Sequence, residues 1–262
     1  MRLGLNHPFY LFALSFALLW LSARIGAWLR TARSQPEDVI REALAVVLGA
    51  ALTLLALMIG FTFSMAGGRY DQRKNCEEAE ANAIGTEYVR IDLLPAVDAA
   101  GLRELLRDYL EQRILFYTTR DWRRLDEING HTAQLQNHLW SSVRSGSGEQ
   151  TTAVAALVLS GMNDVLNSQS YSQAAWWNRI PPEAWILMLA IGVFCNILFG
   201  YTTPARGKSL IFLGLPLIVS IAFFLLADMD SPRDGIITIR PRNLISLAGS
   251  LGGPFPTPAA AR

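Results

Sequence analysis

The densest set of chargeable side chains follows an apolar run. Arg69, Arg73 and Lys74 come first, then Glu77, Glu78 and Glu80. Arg73–Glu77 and Lys74–Glu78 are four residues apart, so on a helix each pair shares a face and contributes a few tenths of a kcal/mol. Two chemistries fit this pattern. One is a solvated helix whose cations hold lipid headgroups. The other is a ring of Arg69 and Arg73 at a pore vestibule, raising the local concentration of anions.

A second cluster is Glu80, Asn82, Gly85, Thr86 and Arg90. Asn82, Thr86 and Arg90 succeed one another at four-residue steps. Asn, Gly and Thr are poor helix formers, so something other than propensity selects them. Gly85 suits a close helix approach, and the cluster reads as structural interlocking, with a binding surface as the rival reading.

Other constellations point away from catalysis and metals. Asp228, Asp230 and Asp234 lack the complete ligand loop, with its closing Glu, of an EF-hand calcium site; with Pro232 and Gly235 they read as a turn. His131 and His138 are seven apart and lack further ligands. No serine or cysteine sits in a nucleophile–histidine–acid pattern. We expect no enzyme, no metal site and no cofactor. Cys76 lies in charged sequence and Cys195 in an apolar run, so they are not expected to pair.

The elements that must carry these residues are helices. The chain has 262 residues, 51% hydrophobic and 17% charged, with net charge +1 and mean hydropathy +0.25. Soluble domains average about 25% charged residues, so the balance is that of a membrane protein. It shows no concentrated basic face for nucleic acid.

Pro8–Leu29 is long enough for a first span, since roughly 20 residues cross the hydrocarbon core; a secretory signal peptide over Phe9–Ser22 is the rival. Trp20 and Trp28 suit an interface, and Arg24 is within snorkelling reach of it. Ser34 or Pro36 can start the next helix. Ala43–Ala66 is the second span, and no proline separates it from the charged sequence that runs to Leu94. One uninterrupted helix is therefore expected to leave the membrane near Gly67–Arg69.

Three further helices are expected in the following segment. They cover about Val97–Tyr117, Asp121–Val143 with Asp121 as N-cap, and Thr151–Trp177 beyond the Ser145–Gln150 linker. Pro181 and Pro182 open the third span, Glu183–Tyr201, and Ser209–Ala227 is the fourth. Ile236–Ile239 is a short β-prone run, and the Gly/Pro/Ala-rich end reads as disordered.

The stretches GFTFSMAGGRYDQRKN, EAEANAIGTEYVRIDLLP, RIPPEAWILML and DMDSPRDGIITIRPRNL together resemble the bacterial bestrophin-like membrane proteins. The resemblance covers about Ala43–Leu244. It implies four membrane helices, a second helix that lines a pore and runs on into a cytosolic helical domain, and a homo-oligomer, pentameric if it follows bestrophins, that passes inorganic anions such as chloride. In such a ring Leu55, Ile59 and Phe63, spaced four apart, form an apolar neck that gates by dewetting, unless they pack on neighbouring helices or lipid.

The expectation is an all-α integral membrane protein of four transmembrane helices plus a helical extramembrane domain. Residues 8–66 hold the first two spans, 67–180 the extramembrane domain, 181–227 the last two spans and 228–262 a largely irregular tail. The expected setting is a bacterial inner membrane with the helical domain cytoplasmic and lipid as a partner. A non-conducting scaffold or sensor, whose helical domain binds a partner, is the alternative function. Oligomer geometry discriminates the two.

Overall fold

The computed structural model describes residues 8–32, 38–146, 153–203 and 211–252. Among these the regular structure is helical and no strand occurs. The helices are α1 (Pro8–Ala32), α2 (Asp38–Arg90), α3 (Ala96–Thr118), α4 (Trp122–Gly146), α5 (Ala153–Trp177), α6 (Pro182–Thr202), α7 (Ile211–Asp230) and α8 (Arg242–Ser250), with a 3-10 turn at Ile91–Leu93 after α2. Four stretches are long and apolar enough to cross a membrane: Pro8–Ala32, Val39–Leu93, Ala153–Thr202 and Phe212–Asp230. The chain divides into two compact units, residues 1–70 with 179–238, and residues 71–178 with 239–262.

The first unit contains α1, the N-terminal part of α2, α6 and α7. Its core is Leu19, Leu55, Met188, Val219, Phe223 and Leu226, flanked by Met58, Ile59 and Trp185. Helices in lipid gain little from burying apolar surface, so close packing between small residues must hold them. Here α1 and α6 meet through glycine. A Cβ on Gly200 would overlap the Ala23 carbonyl oxygen, and one on Gly26 would overlap that of Ile197. Two hydroxyls inside this unit bond their own helix, Ser22 to the Leu18 carbonyl at 2.8 Å and Thr62 to that of Met58 at 2.8 Å. No water is then needed at those positions.

The second unit packs α3, α4, α5, α8 and the C-terminal part of α2. Leu102, Leu106, Tyr109 and Ile114 from α3, Leu125, Ile128, Leu135 and Leu139 from α4, and Val158, Met162 and Val165 from α5 are buried. They recur at helical spacing, whereas Trp122, Val154 and Leu157 on the same helices are exposed. Helix ends are set by local chemistry. Asp121 Oδ1 accepts the Arg123 amide at 3.0 Å and starts α4, and Pro95 and Pro181 precede α3 and α6.

Three boundaries differ from the sequence reading. Helix α7 continues through Asp228 to Asp230. The stretch 228–262 contains α8, a helix where an irregular tail was expected. Ile236–Ile239 forms no strand. Ser34, Pro36 and the last ten residues lie outside the described residues.

Candidate functional site along helix α2

Helix α2 carries most of the residues singled out by sequence, and its phase decides what each can do. In the second unit its buried positions are Arg73, Glu77, Glu80, Ala81, Ile84 and Glu87, a set that marks one helix face. Four of these six side chains are ionisable. A buried charge is costly unless paired or hydrogen-bonded, so each must have a specific use.

Arg73 is fully buried. Its Nε donates to the Ala175 carbonyl at 3.0 Å and its Nη2 to the Asn178 carbonyl at 2.8 Å. These carbonyls lie at the end of α5, where the helix dipole favours a cation. A passing anion does not reach Arg73 there, which corrects its assignment to a vestibule. Glu77 does the converse at the start of α8. Its Oε1 accepts the amides of Asn243 and Leu244 at 2.9 and 3.0 Å, and its Oε2 accepts Asn243 Nδ2 at 2.7 Å. The expected Arg73–Glu77 surface pair is thus two separate helix caps, reached from 102 to 167 residues away in sequence.

Glu80 is the centre of a buried polar knot. It pairs with Arg113 of α3; both side chains are 0% exposed. Its Oε2 also accepts the Tyr117 hydroxyl at 3.1 Å and the Ser172 hydroxyl of α5 at 2.9 Å. Arg113 lies over the Phe116 ring, 4.4 Å from its centroid. Burial alone would lower the Arg113 pKa, but the adjacent Glu80 carboxylate reverses this and holds it above the ordinary value. Burial and Glu80 push the Tyr117 hydroxyl up as well. This knot ties α2, α3 and α5 together.

Of the rest of that cluster, Gly85 lies under Leu247 of α8, where a Cβ would stand 3.1 Å from Leu247 Cδ1. Asn82 and Thr86 are exposed, and Arg90 sits 4.0 Å from Glu87. Sequence reasoning missed Arg113, Tyr117, Ser172, Glu87 and Gly161. A signal for Arg113 was present. It shares a helical face with Leu106 and Tyr109, so a cation there needed a buried partner.

In the first unit, Arg69 Nη1 lies 3.8 Å from Asp230 Oδ1, with 14% of the Arg69 side chain exposed. Asp230 Oδ1 accepts the Ile180 amide at 3.0 Å, and Asp228 takes the amides of Ile236 and Ile237 at 2.6 and 2.9 Å. Asp228 thus closes the turn that follows α7, and Asp230 ties the end of α7 to the segment before α6. The sequence-derived neck also changes. Leu55 is 2% exposed in the unit's core and Ile59 packs against that core, while Phe63 is 46% exposed. Leu55 is thus turned into the core of the first unit rather than outward. The face opposite Leu55 carries Thr53, Leu57, Gly60, Phe61 and Ser64, all exposed.

Comparison with known proteins follows the same lines. A family model described as a Bestrophin-like domain matches residues 10–244. Two crystal structures of a bacterial bestrophin homologue from Klebsiella pneumoniae share the fold. One, of a tryptophan-to-alanine mutant, has a TM-score of 0.65 at 11% identity, over 91% of this chain and 97% of that chain. The other, phased on zinc, has a TM-score of 0.60 at 13% identity, over 92% and 98%. A search of curated proteins finds no match.

Proposed function

Because the chain belongs to the bestrophin-like family, we propose that it is an oligomeric channel for inorganic anions, its pore lined by α2. The observation that carries this reading is the exposure of α2. Its apolar stretch is the most hydrophobic of the four, yet only 6% of it is buried, against 28%, 28% and 39% in the others. A four-helix subunit encloses no pore alone. A ring, pentameric as in bestrophins, sets the α2 face away from each subunit core toward the axis.

In this ring Leu57 and Phe61, four residues apart, form the apolar neck, with Ser64 the next turn on. Such a constriction gates by excluding water. Arg69 is the cation nearest the end of this stretch, its charge moderated by Asp230. The setting is a bacterial inner membrane with residues 71–178 in the cytoplasm; exclusive labelling of Cys76 by an impermeant maleimide from the periplasmic side would reverse this orientation.

Purified protein reconstituted in liposomes should pass chloride. Phe61→Ser, which wets the neck, should raise the flux about tenfold, the change that corresponds to about 1.4 kcal/mol of barrier, whereas Leu55→Val should leave the neck intact. A monomer in mild detergent with no flux would contradict the channel and favour a non-conducting anchor.

A further inference from the structure

Glu87 is the one buried carboxylate on the α2 face whose two oxygens have no hydrogen-bond partner among the described residues. Its side chain is 0% exposed. It is pressed against α5 at Gly161, where a Cβ would overlap Oε2 and approach Arg90 Nη1. Glycine at that position leaves room for the Glu87 carboxyl group. The charged groups facing it are Arg90 from its own helix, whose Nη1 is 4.0 Å from Oε2 with that side chain 29% exposed, and Asp164 from α5.

We propose that Glu87 is a proton-binding site that latches α5 onto α2, closed when the carboxyl is protonated and loosened when it ionises. A neutral carboxyl fits beneath Gly161 at modest cost. A carboxylate without hydrogen bonds does not, because burial penalises the charged form far more than the neutral one. The forces on the proton agree with this. Burial is the largest influence and raises the Glu87 pKa, Arg90 lowers it and Asp164 raises it, leaving it at about 8 against an ordinary 4.5.

The sign of the pH effect follows. Between about 4.5 and about 8 the closed latch keeps a proton that the open one releases. The equilibrium constant for opening therefore rises roughly tenfold per pH unit across that window and levels off above it. The latch depends only on the packing of α5 on α2 and is independent of whether the protein conducts ions.

Hydrogen exchange of the full-length protein in detergent tests it. At residues 153–177, between pH 5.5 and 7.5 and after correction for intrinsic exchange rates, the opening constant should rise roughly a hundredfold, the two-unit span of that dependence. Glu87→Gln should remove most of this change. A wild-type protein flat over this range, or a Glu87→Gln protein with the same pH dependence, would overturn the proposal. Should Glu87→Gln not fold, infrared spectroscopy of wild-type protein carrying 13C-labelled glutamate decides. A protonated carboxyl band present at pH 6.5 and gone at pH 9.5 supports the latch, and its absence at pH 6.5 refutes it.

Discussion

Replacing Arg113 with alanine should destabilise the protein by about 3–5 kcal/mol, the cost of removing one member of a buried ion pair. An apparent Tm lower by roughly 10 °C is the readout, measured by tryptophan fluorescence in detergent. The expectation is large because Glu80 and Arg113 are each 0% exposed and join three helices. Without the guanidinium, Glu80 keeps only the hydroxyls of Tyr117 and Ser172, which stabilise a carboxylate less than a cation does. Glu80→Gln should cost less than Arg113→Ala, since the amide oxygen can still accept those bonds. A double substitution to apolar residues of similar volume, Glu80→Met with Arg113→Met, should recover much of the loss, because a buried pair often breaks even against a hydrophobic replacement. An Arg113→Ala protein with an unchanged Tm would show that the pair does not hold the second unit together.

Gly200→Leu should prevent the first unit from assembling. Any Cβ at Gly200 would overlap the carbonyl oxygen of Ala23 and lie 2.9 Å from its carbon. Those atoms belong to backbone, so no side-chain rotation relieves the clash, and α1 and α6 must separate. Overpacking a tight site costs about 1–3 kcal/mol and occasionally more; this site belongs at the upper end or beyond, since the closest contact involves main chain and the reciprocal crossing at Gly26 is lost with it. The readout is monodisperse protein recovered from membranes, which should fall to a small fraction of wild type. Gly214→Ala in α7 is the matched control. Nothing lies within 4 Å of its added Cβ, so yield should hold. Equal yields for the two variants would refute the glycine crossing.

The four spans were legible because hydropathy over some twenty residues needs no tertiary knowledge. The helices α3, α4 and α5 were legible because their apolar residues recur at helical spacing. The rotation of α2 was not. From Leu44 to Ala66 the helix is apolar nearly all round, so the pattern gives no direction for its inner face, and Leu55, expected at a neck, lies in the core of the first unit. Arg73 and Glu77 misled for another reason. Their spacing suggests a mutual surface pair, but each is consumed by a helix end far along the chain, and nothing local announces that. Helix α8 was missed on the same account: its N-terminal cap comes from Glu77 rather than from its own sequence.

The family cluster was half legible. Gly85 lies beside Leu247 of α8, and the partners of Glu80, Arg113 and Ser172, lie 33 and 92 residues downstream. Asn82 and Thr86 share a helical face as expected, and that face is exposed.

A cryo-EM reconstruction of the protein in lipid nanodiscs tests the central proposal most directly, because the outward face of α2 must then be seen covered or bare. The account predicts a closed ring in which Thr53, Leu57, Phe61 and Ser64 of every subunit surround a central hole. A lone subunit, or a dimer with that face of α2 against lipid, would contradict it.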